Sequence, residues 1–410
     1  MSIAFVIRYP FHFFLYQRIA HFLAGEVEFV LDTQEIARAP LRGRLSETFR
    51  SFLERSAVPY RIYNRTTAPV DFFNRYDVLV ANTFSDTLAL EANQRRKKVR
   101  LMYGYAKELW NFGVWSRHFD LTFTFGEYAE RMLEPLSRCV SVGVPQFDAW
   151  FADKRPRRRY DREILPGIDT AKQTLLYLPT HGDLASLPHV AAELTEAAQY
   201  FNVIVKPHSL TLAWEPEFLA PYRDRPGVML LDDFLDTAEV LRYADVVLSD
   251  NSGAIFDALL VDVPIVILDF WQQPYFAESH RVLEKLDATR WRIPLTHAGS
   301  IEQRVKSDPD LSIGEIVTKP SDIAGALERV FITHRQRSKT REQLRIRLFK
   351  YRDGRSSERV ATALRALQGE PRRGMKPLAK AIDRRIATAL SGLEAEASYL
   401  EREIQRHIPY

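Results

Sequence analysis

The chain contains little cysteine and no long hydrophobic run. Its single cysteine, Cys139, excludes an intramolecular disulfide and favours a reducing compartment. No apolar stretch approaches the roughly 20 residues that a bilayer-spanning helix needs. The first residues enter a strand-like segment without a basic leader or a small-residue cleavage site, so we expect no signal peptide. Together these absences predict a cytoplasmic protein whose contact with the inner face of the cell membrane is at most peripheral.

A strong excess of one charge is also missing. The formal net charge is only +4 at pH 7, and the basic residues are dispersed except in residues 154–159 and 372–385. No nucleic-acid-binding motif is visible, so we expect no nucleic acid partner. Residues 154–159 are typical of a solvated linker, with a surface for anionic lipid or substrate as the alternative. The 46% hydrophobic content of the 410 residues suits two or three domains with their own cores.

Short apolar runs alternate with helical patterns along most of the chain. Such alternation predicts an α/β fold with parallel sheets that are covered by helices on both faces. We expect two doubly wound, Rossmann-like domains in tandem, residues 1–152 and 171–340, joined by a linker at 153–170. Strands are expected at residues 3–7, 27–31, 77–81, 99–103, 121–125, 139–142, 174–178, 203–206, 228–231, 246–249 and 265–268, and helices at 13–23, 45–56, 126–136 and 189–200.

The C-terminal part of the chain, residues 341–410, is helical in pattern and highly charged. Helices within 341–370 are expected to pack back onto the body of the protein. The tail, residues 371–410, carries apolar residues spaced four and three apart between 386 and 404. This seam predicts either packing on the same chain or a homo-oligomer. The basic, amphipathic residues 372–385 could also lie on an anionic membrane surface.

The most informative motif lies at residues 243–257. Its residues 246–248 form a strand suited to burial on both faces, and Asp250-Asn251-Ser252-Gly253 supplies a turn before a helix that begins at Ala254. Such a turn directs backbone N–H groups and the positive end of a helix dipole at one point, where an anion binds favourably. The alternative is an ordinary strand–helix turn that is capped by Ser252.

Two further strand ends carry groups that suit a phosphate. Lys206 and His208 follow one strand, and Thr180 and His181 follow the preceding one. Ligands in such sheets bind beyond the carboxyl ends of the strands, so these groups should converge on the Ser252 turn. Each residue alone has a structural alternative. The convergence of three neighbouring strand ends predicts a site for a phosphate-containing ligand.

These motifs, taken in order, resemble a known family. Pro179-Thr180, Lys206-Pro207-His208, residues 249–257 and Pro264-Ile265 follow one another as in the CDP-glycerol glycerophosphotransferases, which build teichoic acids and related capsule or surface polymers. Residues 143–148 resemble the Gly-x-Pro-x-x-Asp segment of that family. Residues 353–359 are similar to its Asp-Gly-x-x-Ser-x-Arg signature. The resemblance covers residues 99–365.

The resemblance implies a GT-B fold, in which two Rossmann-like domains face a cleft, here with a C-terminal helical extension. It implies a CDP-alditol donor, a polysaccharide or lipid-linked acceptor, and transfer without a metal or another cofactor. By the same resemblance His208 and the Ser252-Gly253 helix start hold the donor pyrophosphate, Thr180 assists, and Asp257 faces the hydroxyls of the donor. The rest of the expected nucleotide site is His181, Lys206, Asp250 and Asn251.

The implied reaction makes one main electrostatic demand. Because CMP departs, the site must stabilise a phosphate leaving group, and aligned N–H groups with an imidazolium can do this without Mg²⁺. The best metal-like pair in the sequence is Asp232-Asp233. It precedes a helix-like segment, so we expect the pair to cap that helix.

The chain departs from the family pattern at the expected base. The family carries a His-Gly pair and then a Lys at the end of a first-domain strand, but here Tyr103 replaces the histidine. The Arg that usually follows the Pro-Thr motif is absent too, with His181 in its region. His12, after the first strand, is the substitute base that we expect, with a buried or capping histidine as the alternative. Tyr103 and Glu108 are weaker candidates, since a phenol with a pKa of about 10 is a poor base.

Three functions therefore remain open. The first is transfer of an alditol phosphate from a CDP donor to a polymer or lipid-linked acceptor. The second is transfer of a sugar from a UDP- or CMP-sugar on the same fold, which the replacement at Tyr103 makes a serious alternative. The third is a non-catalytic scaffold that binds nucleotide or recruits polymer-export partners through its tail.

Overall fold

The computed structural model of the protein describes most of the chain. It covers residues 2–33, 42–55, 58–64, 66–83, 86–89, 96–106, 111–153, 167–270 and 301–367, together with Lys376, Lys380 and Arg384. Residues 154–166 of the predicted linker, Glu108, and the predicted seam at 386–404 lie outside the described residues.

The first sheet consists of short, largely buried strands. They are β1 (Ile3–Ile7), β2 (Val27–Asp32), β3 (Tyr60–Tyr63), β4 (Val78–Ala81), β5 (Lys97–Leu101), β6 (Leu121–Thr124) and β7 (Cys139–Ser141). The strands are parallel and lie in the order β3-β2-β1-β4-β5-β6-β7. Every residue of β1 is buried, because helices cover both faces of the sheet. The strand order reverses between β1 and β4, which opens a crevice at their carboxyl ends.

The second sheet repeats this topology. Its strands are β8 (Gln173–Leu178), β9 (Phe201–Val205), β10 (Val228–Leu230), β11 (Val246–Ser249), β12 (Ile265–Leu268) and β13 (Glu315–Val317). They are parallel and lie in the order β10-β9-β8-β11-β12-β13. Here the order reverses between β8 and β11. The carboxyl ends of β9, β8 and β11 are therefore neighbours at the corresponding crevice.

Helices pack on the two sheets. The first five are α1 (Pro10–Phe22), α2 (Arg42–Arg55), α3 (Asp86–Ala89), α4 (Glu127–Leu133) and α5 (Asp148–Ala152). The later ones are α6 (Ala191–Ala197), α7 (Ser209–Trp214), α8 (Thr237–Val240), α9 (Ala254–Val261), α10 (Ile301–Ser307), α11 (Ile323–Gln336), α12 (Ser338–Leu348) and α13 (Ser356–Ala366). Within the described part of the chain, no helix combines the length and the hydrophobicity that crossing a bilayer requires.

The predicted fold class is confirmed, but several predicted bounds were wrong. Helix α1 begins at Pro10 instead of residue 13, since proline has a suitable φ and no N–H to satisfy at the first helical position. The helix predicted at 189–200 is only Ala191–Ala197, because a 3-10 turn containing Pro188 precedes it. Gly25, with φ +81°, lies two residues beyond the C-cap Leu23. Strands β3 and β13 were missed because both are short and partly polar.

The Gly-x-Pro-x-x-Asp segment and the C-terminal signature meet in the structure. The buried Asp148 carboxylate accepts hydrogen bonds from the backbone N–H groups of Ser356 (2.8 Å) and Ser357 (2.6 Å) at the start of α13. Two glycines with positive φ allow this approach. A Cβ on Gly143 would lie 2.5 Å from the Ser356 hydroxyl, and one on Gly354 would lie 2.9 Å from the Asp148 carbonyl oxygen. The two motifs therefore join the start of α13 to the segment that follows β7.

Helix α13 completes the core beneath the first sheet. Its Val360 and Leu364 are fully buried in the same hydrophobic cluster as Phe13 and Ile19 of α1. Asp148 holds the start of α13 in place, and these apolar contacts hold the rest of the helix against α1. The core of the N-terminal unit thus contains residues of α13, which follows both sheets in the sequence.

Candidate active site

The crevice of the second sheet holds the predicted phosphate-binding residues. Thr180 follows β8, His208 follows β9, and Ser252 follows β11, and these three strands are adjacent in the order β9-β8-β11. The His181 and His208 rings stack with their centroids 4.3 Å apart. The structure therefore brings all three strand ends together.

Asp250 holds the first of these strand ends in place. Its buried carboxylate accepts hydrogen bonds from the Thr180 N–H (2.7 Å), the Ser186 N–H (2.8 Å) and the Ser186 hydroxyl (2.7 Å). Burial raises the pKa of Asp250, and these hydrogen bonds oppose that shift. Its side chain thus ties the loop after β8 to the turn after β11. We expected Asp250 to contact the donor directly, whereas these bonds make it a support for residues that can.

Asn251 has a similar supporting contact. Its side-chain oxygen accepts a hydrogen bond from Lys306 of α10 at 2.5 Å. Lys306 also forms an ion pair with Asp269, with 3.5 Å between Nζ and Oδ1. The side chain of Asn251 therefore fixes the turn to α10, while its backbone remains part of the turn. Sequence reasoning missed Lys306, which lies 55 residues further along the chain.

The start of α9 is open to a ligand. Gly253 is the N-cap residue, and a Cβ on it would meet no atom within 4 Å. The Ser252 hydroxyl accepts a hydrogen bond from the Ala254 N–H at 3.3 Å. The helix dipole places partial positive charge at this point, which favours an anion. The open space above Gly253 allows a phosphate to approach the backbone closely.

The hydrogen bonds of His208 determine how its ring can act. His208 is the N-cap of α7, and its Nδ1 accepts a hydrogen bond from the Leu210 N–H at 3.1 Å. A nitrogen that accepts a bond from an amide carries no proton, so the neutral ring has its proton on Nε2. His208 is thus arranged to donate from Nε2 as a neutral imidazole. The expectation that it acts as an imidazolium is corrected on this ground.

A group of mutually interacting charges lies beside this crevice. Burial lowers the pKa of Lys206 to about 8, although Asp236 and Asp257 oppose the shift. Burial and the neighbouring Asp236 raise the pKa of Asp257 to about 7. Burial likewise raises the pKa of Asp236 to about 6. Near neutral pH the Lys206 cation therefore lies beside a mostly ionised Asp236 and a partly ionised Asp257.

Asp236 was missed in the sequence and connects the two sheet units. Its Oδ1 accepts hydrogen bonds from Gln146 Nε2 (2.6 Å) and from the Ala238 N–H (2.9 Å), as the cap of α8. Its Oδ2 lies 3.4 Å from Gln17 Nε2 of α1. A single carboxylate after β10 therefore contacts two glutamines of the N-terminal unit. In the sequence, the position of Asp236 before a helix predicts a helix cap, but it does not predict a contact with the N-terminal unit.

Aromatic residues of the N-terminal unit face His208 across the cleft. The Phe11 ring centroid lies 6.0 Å from that of His208, 5.7 Å from that of Tyr103 and 4.5 Å from that of His12. The Tyr9 ring contacts Trp214 of α7 at 6.3 Å. Both candidate bases therefore lie on the side of the cleft opposite the phosphate-binding residues, with Phe11 between them and His208.

His12 and Tyr103 differ in what they can do chemically. Burial, followed by the charge of Arg8, lowers the pKa of His12 well below its usual range. Its Nδ1 accepts a hydrogen bond from the Arg8 N–H at 3.3 Å, so in this geometry the neutral ring carries its proton on Nε2, as in His208. Burial raises the pKa of Tyr103 to about 12, so this phenol stays protonated at neutral pH. Tyr103 is thus a hydrogen-bond donor and no base.

The prediction that Asp232 and Asp233 cap the following helix is wrong, because the N-cap of α8 is Asp236 and the pair instead forms surface ion pairs. Asp232 pairs with Arg223 (3.1 Å), and Asp233 pairs with Arg55 (3.3 Å), all with exposed side chains. The Asp233 carboxylate also accepts a hydrogen bond from the Phe234 N–H. Among the residues that the structure describes, no cluster of His, Cys, Asp or Glu has the geometry of a metal site.

The comparisons with known proteins agree with this geometry. Residues 124–287 match the model of the CDP-Glycerol:Poly(glycerophosphate) glycerophosphotransferase family. Over this segment the chain is similar to the CDP-glycerol glycerophosphotransferases. The resemblance seen in the sequence is confirmed, and the match includes Thr180, His208, Ser252 and Asp257. No curated protein sequence matches the chain significantly.

Solved structures match this transferase-like chain over most of its length. The wall teichoic acid polymerase TagF superposes with a TM-score of 0.58 and 13% identity, covering 89% of this chain and 88% of TagF. The UDP-GlcNAc 2-epimerase of Neisseria meningitidis gives a TM-score of 0.55 at 11% identity, covering 89% of this chain and 100% of the epimerase. A putative UDP-N-acetylglucosamine 2-epimerase of Listeria monocytogenes gives 0.55 at 12% identity, with coverages of 92% and 98%. At these identities the matches establish the fold, and the GT-B architecture is confirmed.

Proposed function

We propose that the protein transfers a glycerol-phosphate or another alditol-phosphate unit from a CDP-activated donor to a hydroxyl of a surface-polymer or lipid-linked acceptor. The observation that carries the proposal is the convergence of Thr180, His208 and the open start of α9 at one crevice. The family match over residues 124–287 supports the class of donor. Capsule or teichoic acid synthesis is the kind of pathway that such a transfer serves.

The site accounts for the departure of CMP. An acceptor hydroxyl attacks the β-phosphorus of the donor, and the bond from that phosphorus to the oxygen that stays with CMP breaks. The Nε2–H of His208 and the N–H groups at the start of α9 donate to the phosphate oxygens whose negative charge increases. These donors are held in place before the reaction, by Leu210 and by the Asp250 contacts. In this scheme no step requires a metal.

The other half of the reaction needs a proton acceptor. His12 is the base in this proposal, a role that requires its neutral ring to carry the proton on Nδ1, in place of the bond from the Arg8 N–H, and to leave Nε2 free to accept. Its ring is neutral at pH 7 and takes the proton that the acceptor hydroxyl loses. Tyr103 donates a hydrogen bond to the acceptor. Asp257 and Lys206 contact the donor's hydroxyls and balance its charge, with Asp236 beside them.

Nucleotide binding tests the first half of the proposal. Calorimetry with CDP-glycerol, CMP, UDP and CMP-sugars should give binding of CDP-glycerol and CMP and weak binding of UDP. His208→Ala and Ser252→Ala should each weaken CDP-glycerol binding about tenfold to a hundredfold, as expected for the loss of a hydrogen bond to a charged group. Ser321→Ala, at an exposed serine in another turn, is the matched control.

The same measurements can contradict the proposal. Binding of UDP alone would favour transfer of a sugar from a nucleotide-sugar, the alternative that Tyr103 at the family's histidine position supports. Unchanged turnover in both the His208 and Ser252 variants would favour a different site or a non-catalytic scaffold. Turnover that EDTA abolishes and Mg²⁺ restores would contradict metal independence.

We infer that the protein works at the inner face of the cell membrane. Lys376, Lys380 and Arg384 are spaced four residues apart at the start of the basic tail, and Lys376 pairs with Glu134 of α4. Deletion of residues 371–410 should reduce flotation with anionic liposomes. A change of mass by light scattering in the same variant would support a homo-oligomer through residues 386–404. If neither property changes, the tail has only a packing role.

A further inference from the structure

The N-terminal sheet has a crevice that corresponds to the donor site. Its strand order reverses between β1 and β4, as the order of the second sheet reverses between β8 and β11. Arg8 follows β1, and Thr83 follows β4. Sheets of this topology bind ligands at such a reversal. The proposed function assigns Arg8 and Thr83 no part in donor binding, so what they bind is a separate question.

Arg8 is buried there with part of its guanidinium unused. Its side chain is 8% exposed. Nη1 lies 3.4 Å from the Thr83 hydroxyl, and Nε lies 3.4 Å from Asp32 Oδ2 without hydrogen-bond geometry. Nη2 has no hydrogen-bond partner within the part of the chain that the structure describes. A buried guanidinium with so few short contacts is costly, because each unmade bond retains its desolvation penalty.

A second buried arginine of the same sheet shows the usual arrangement. Arg100 is fully buried and donates from Nε to the Asn82 carbonyl (3.1 Å), from Nη1 to the Ser116 hydroxyl (3.0 Å) and from Nη2 to the Asn111 carbonyl (2.6 Å). Its cation also lies over the Trp115 ring at 4.4 Å. Arg100 is therefore satisfied by the protein. Arg8 pairs with Asp32 and reaches Thr83, but its Nη2 has no hydrogen-bond partner among the described residues, and it lies at the edge where a ligand is expected.

The start of α1 adds a second cationic element at this place. Helix α1 has 13 residues and begins at Pro10, two residues after Arg8. Its N-cap Tyr9 makes no side-chain capping bond, and its first turn contains no acidic residue. The positive end of the helix dipole is thus not compensated by a side chain of its own first turn. His12, the proposed base, belongs to the same turn.

We propose that Arg8 and the start of α1 form an anion subsite that binds a phosphate of the acceptor substrate. The inference rests on the proposed function, since it assigns a phosphate-bearing acceptor to the same cleft. A phosphate presents several oxygens at once, so it satisfies the unused guanidinium donors as a bidentate partner does. Binding beside His12 places a hydroxyl of the same acceptor near the base. The enzyme then holds donor and acceptor phosphates at equivalent crevices of its two sheets.

The experiment uses the full chain with CMP at saturation, so that the donor site is occupied. Glycerol phosphate is then titrated by calorimetry as the probe of the second site. Wild type should bind it, and Arg8→Gln should weaken binding about tenfold or more, the loss expected for a charge-assisted pair. Arg18→Gln removes the same charge from an exposed position of α1 and should leave the affinity unchanged.

Further variants separate binding from folding. Arg8→Lys keeps a cation near Asp32 but loses the planar fork, so it should retain the melting temperature and weaken glycerol phosphate binding by an intermediate amount. CMP affinity should be equal in wild type and both Arg8 variants. Absence of CMP binding in wild type contradicts the proposed function. Normal CMP binding, together with glycerol phosphate binding that is absent or insensitive to Arg8→Gln, overturns the subsite alone.

Discussion

Replacing Asp148 by alanine should destabilise the protein more than any exposed acidic substitution. The carboxylate is buried and accepts two backbone hydrogen bonds, at 2.8 and 2.6 Å, from Ser356 and Ser357. Hydrogen bonds to a charged group contribute about 1.5–3 kcal/mol each, and their removal leaves two buried N–H groups without an acceptor. We therefore expect Asp148→Ala to lower the free energy of unfolding by about 3–5 kcal/mol.

Denaturation by urea, followed by tryptophan fluorescence, measures this loss. Asp148→Asn keeps one side-chain acceptor and should cost roughly half as much. Asp169→Ala is the matched control, because Asp169 is an exposed aspartate that accepts one backbone bond, from the Ala171 N–H at 2.9 Å. Loss of this turn hydrogen bond should cost about 1 kcal/mol.

One result would refute the reasoning about Asp148. If Asp148→Ala costs no more than Asp169→Ala, the contact with α13 contributes little to folding. The meeting of the two motifs would then need another explanation, such as a role in catalysis. A large loss of stability with unchanged nucleotide affinity per folded molecule would confirm a structural role.

Three further predictions follow from groups in the cleft. Asp257→Asn should flatten the pH dependence of thermal stability. Burial and Asp236 raise the pKa of Asp257 to about 7, so its contribution to stability is fully present below about pH 4 and is lost as the pH rises through about 7, a change of at most about 4 kcal/mol that the neutral amide removes. A melting-temperature difference between pH 4.5 and pH 8 that is the same in wild type and variant would contradict this. Tyr103→Phe should lower kcat without changing the shape of the pH–rate profile below pH 9, since the phenol has a pKa of about 12; a shifted limb of the profile would instead indicate a base. Asp250→Ala should weaken CDP binding by calorimetry at least tenfold, because the loop that carries Thr180 loses its anchor; unaltered affinity would show that the loop holds its position without this bond.

Local patterns were sufficient to predict the inner strands of the two sheets, though not the edge strands β3 and β13. Runs such as residues 246–248 are short, apolar and followed by turn residues, and each is a buried strand in the structure. Parallel strands joined by helices have few allowed topologies, so the alternation itself leads to a doubly wound fold. The bounds of α1 were less predictable, because Pro10 extends the helix into a segment without apolar periodicity.

The strand ends of the second sheet were predictable for the same reason, whereas their supporting contacts were not. Thr180, His208 and Ser252 each follow an apolar run, and topology brings the ends together. Asp236 contacts Gln146, which is 90 residues away in the sequence, and no local pattern predicts such a contact. The protonation of His208 depends on an amide two residues further on, which only the observed cap geometry reveals.

The position of α13 has a consequence for synthesis on the ribosome. The first sheet emerges early, but its hydrophobic cluster includes Val360 and Leu364, which are translated after both sheets. The usual order, in which an N-terminal domain folds before the next one appears, cannot be completed here. The N-terminal unit therefore keeps part of its apolar surface uncovered until α13 has left the exit tunnel. Nonsense mutations shortly before residue 356 should therefore yield a chaperone-bound or degraded product, although all of the strands that the structure describes have been made.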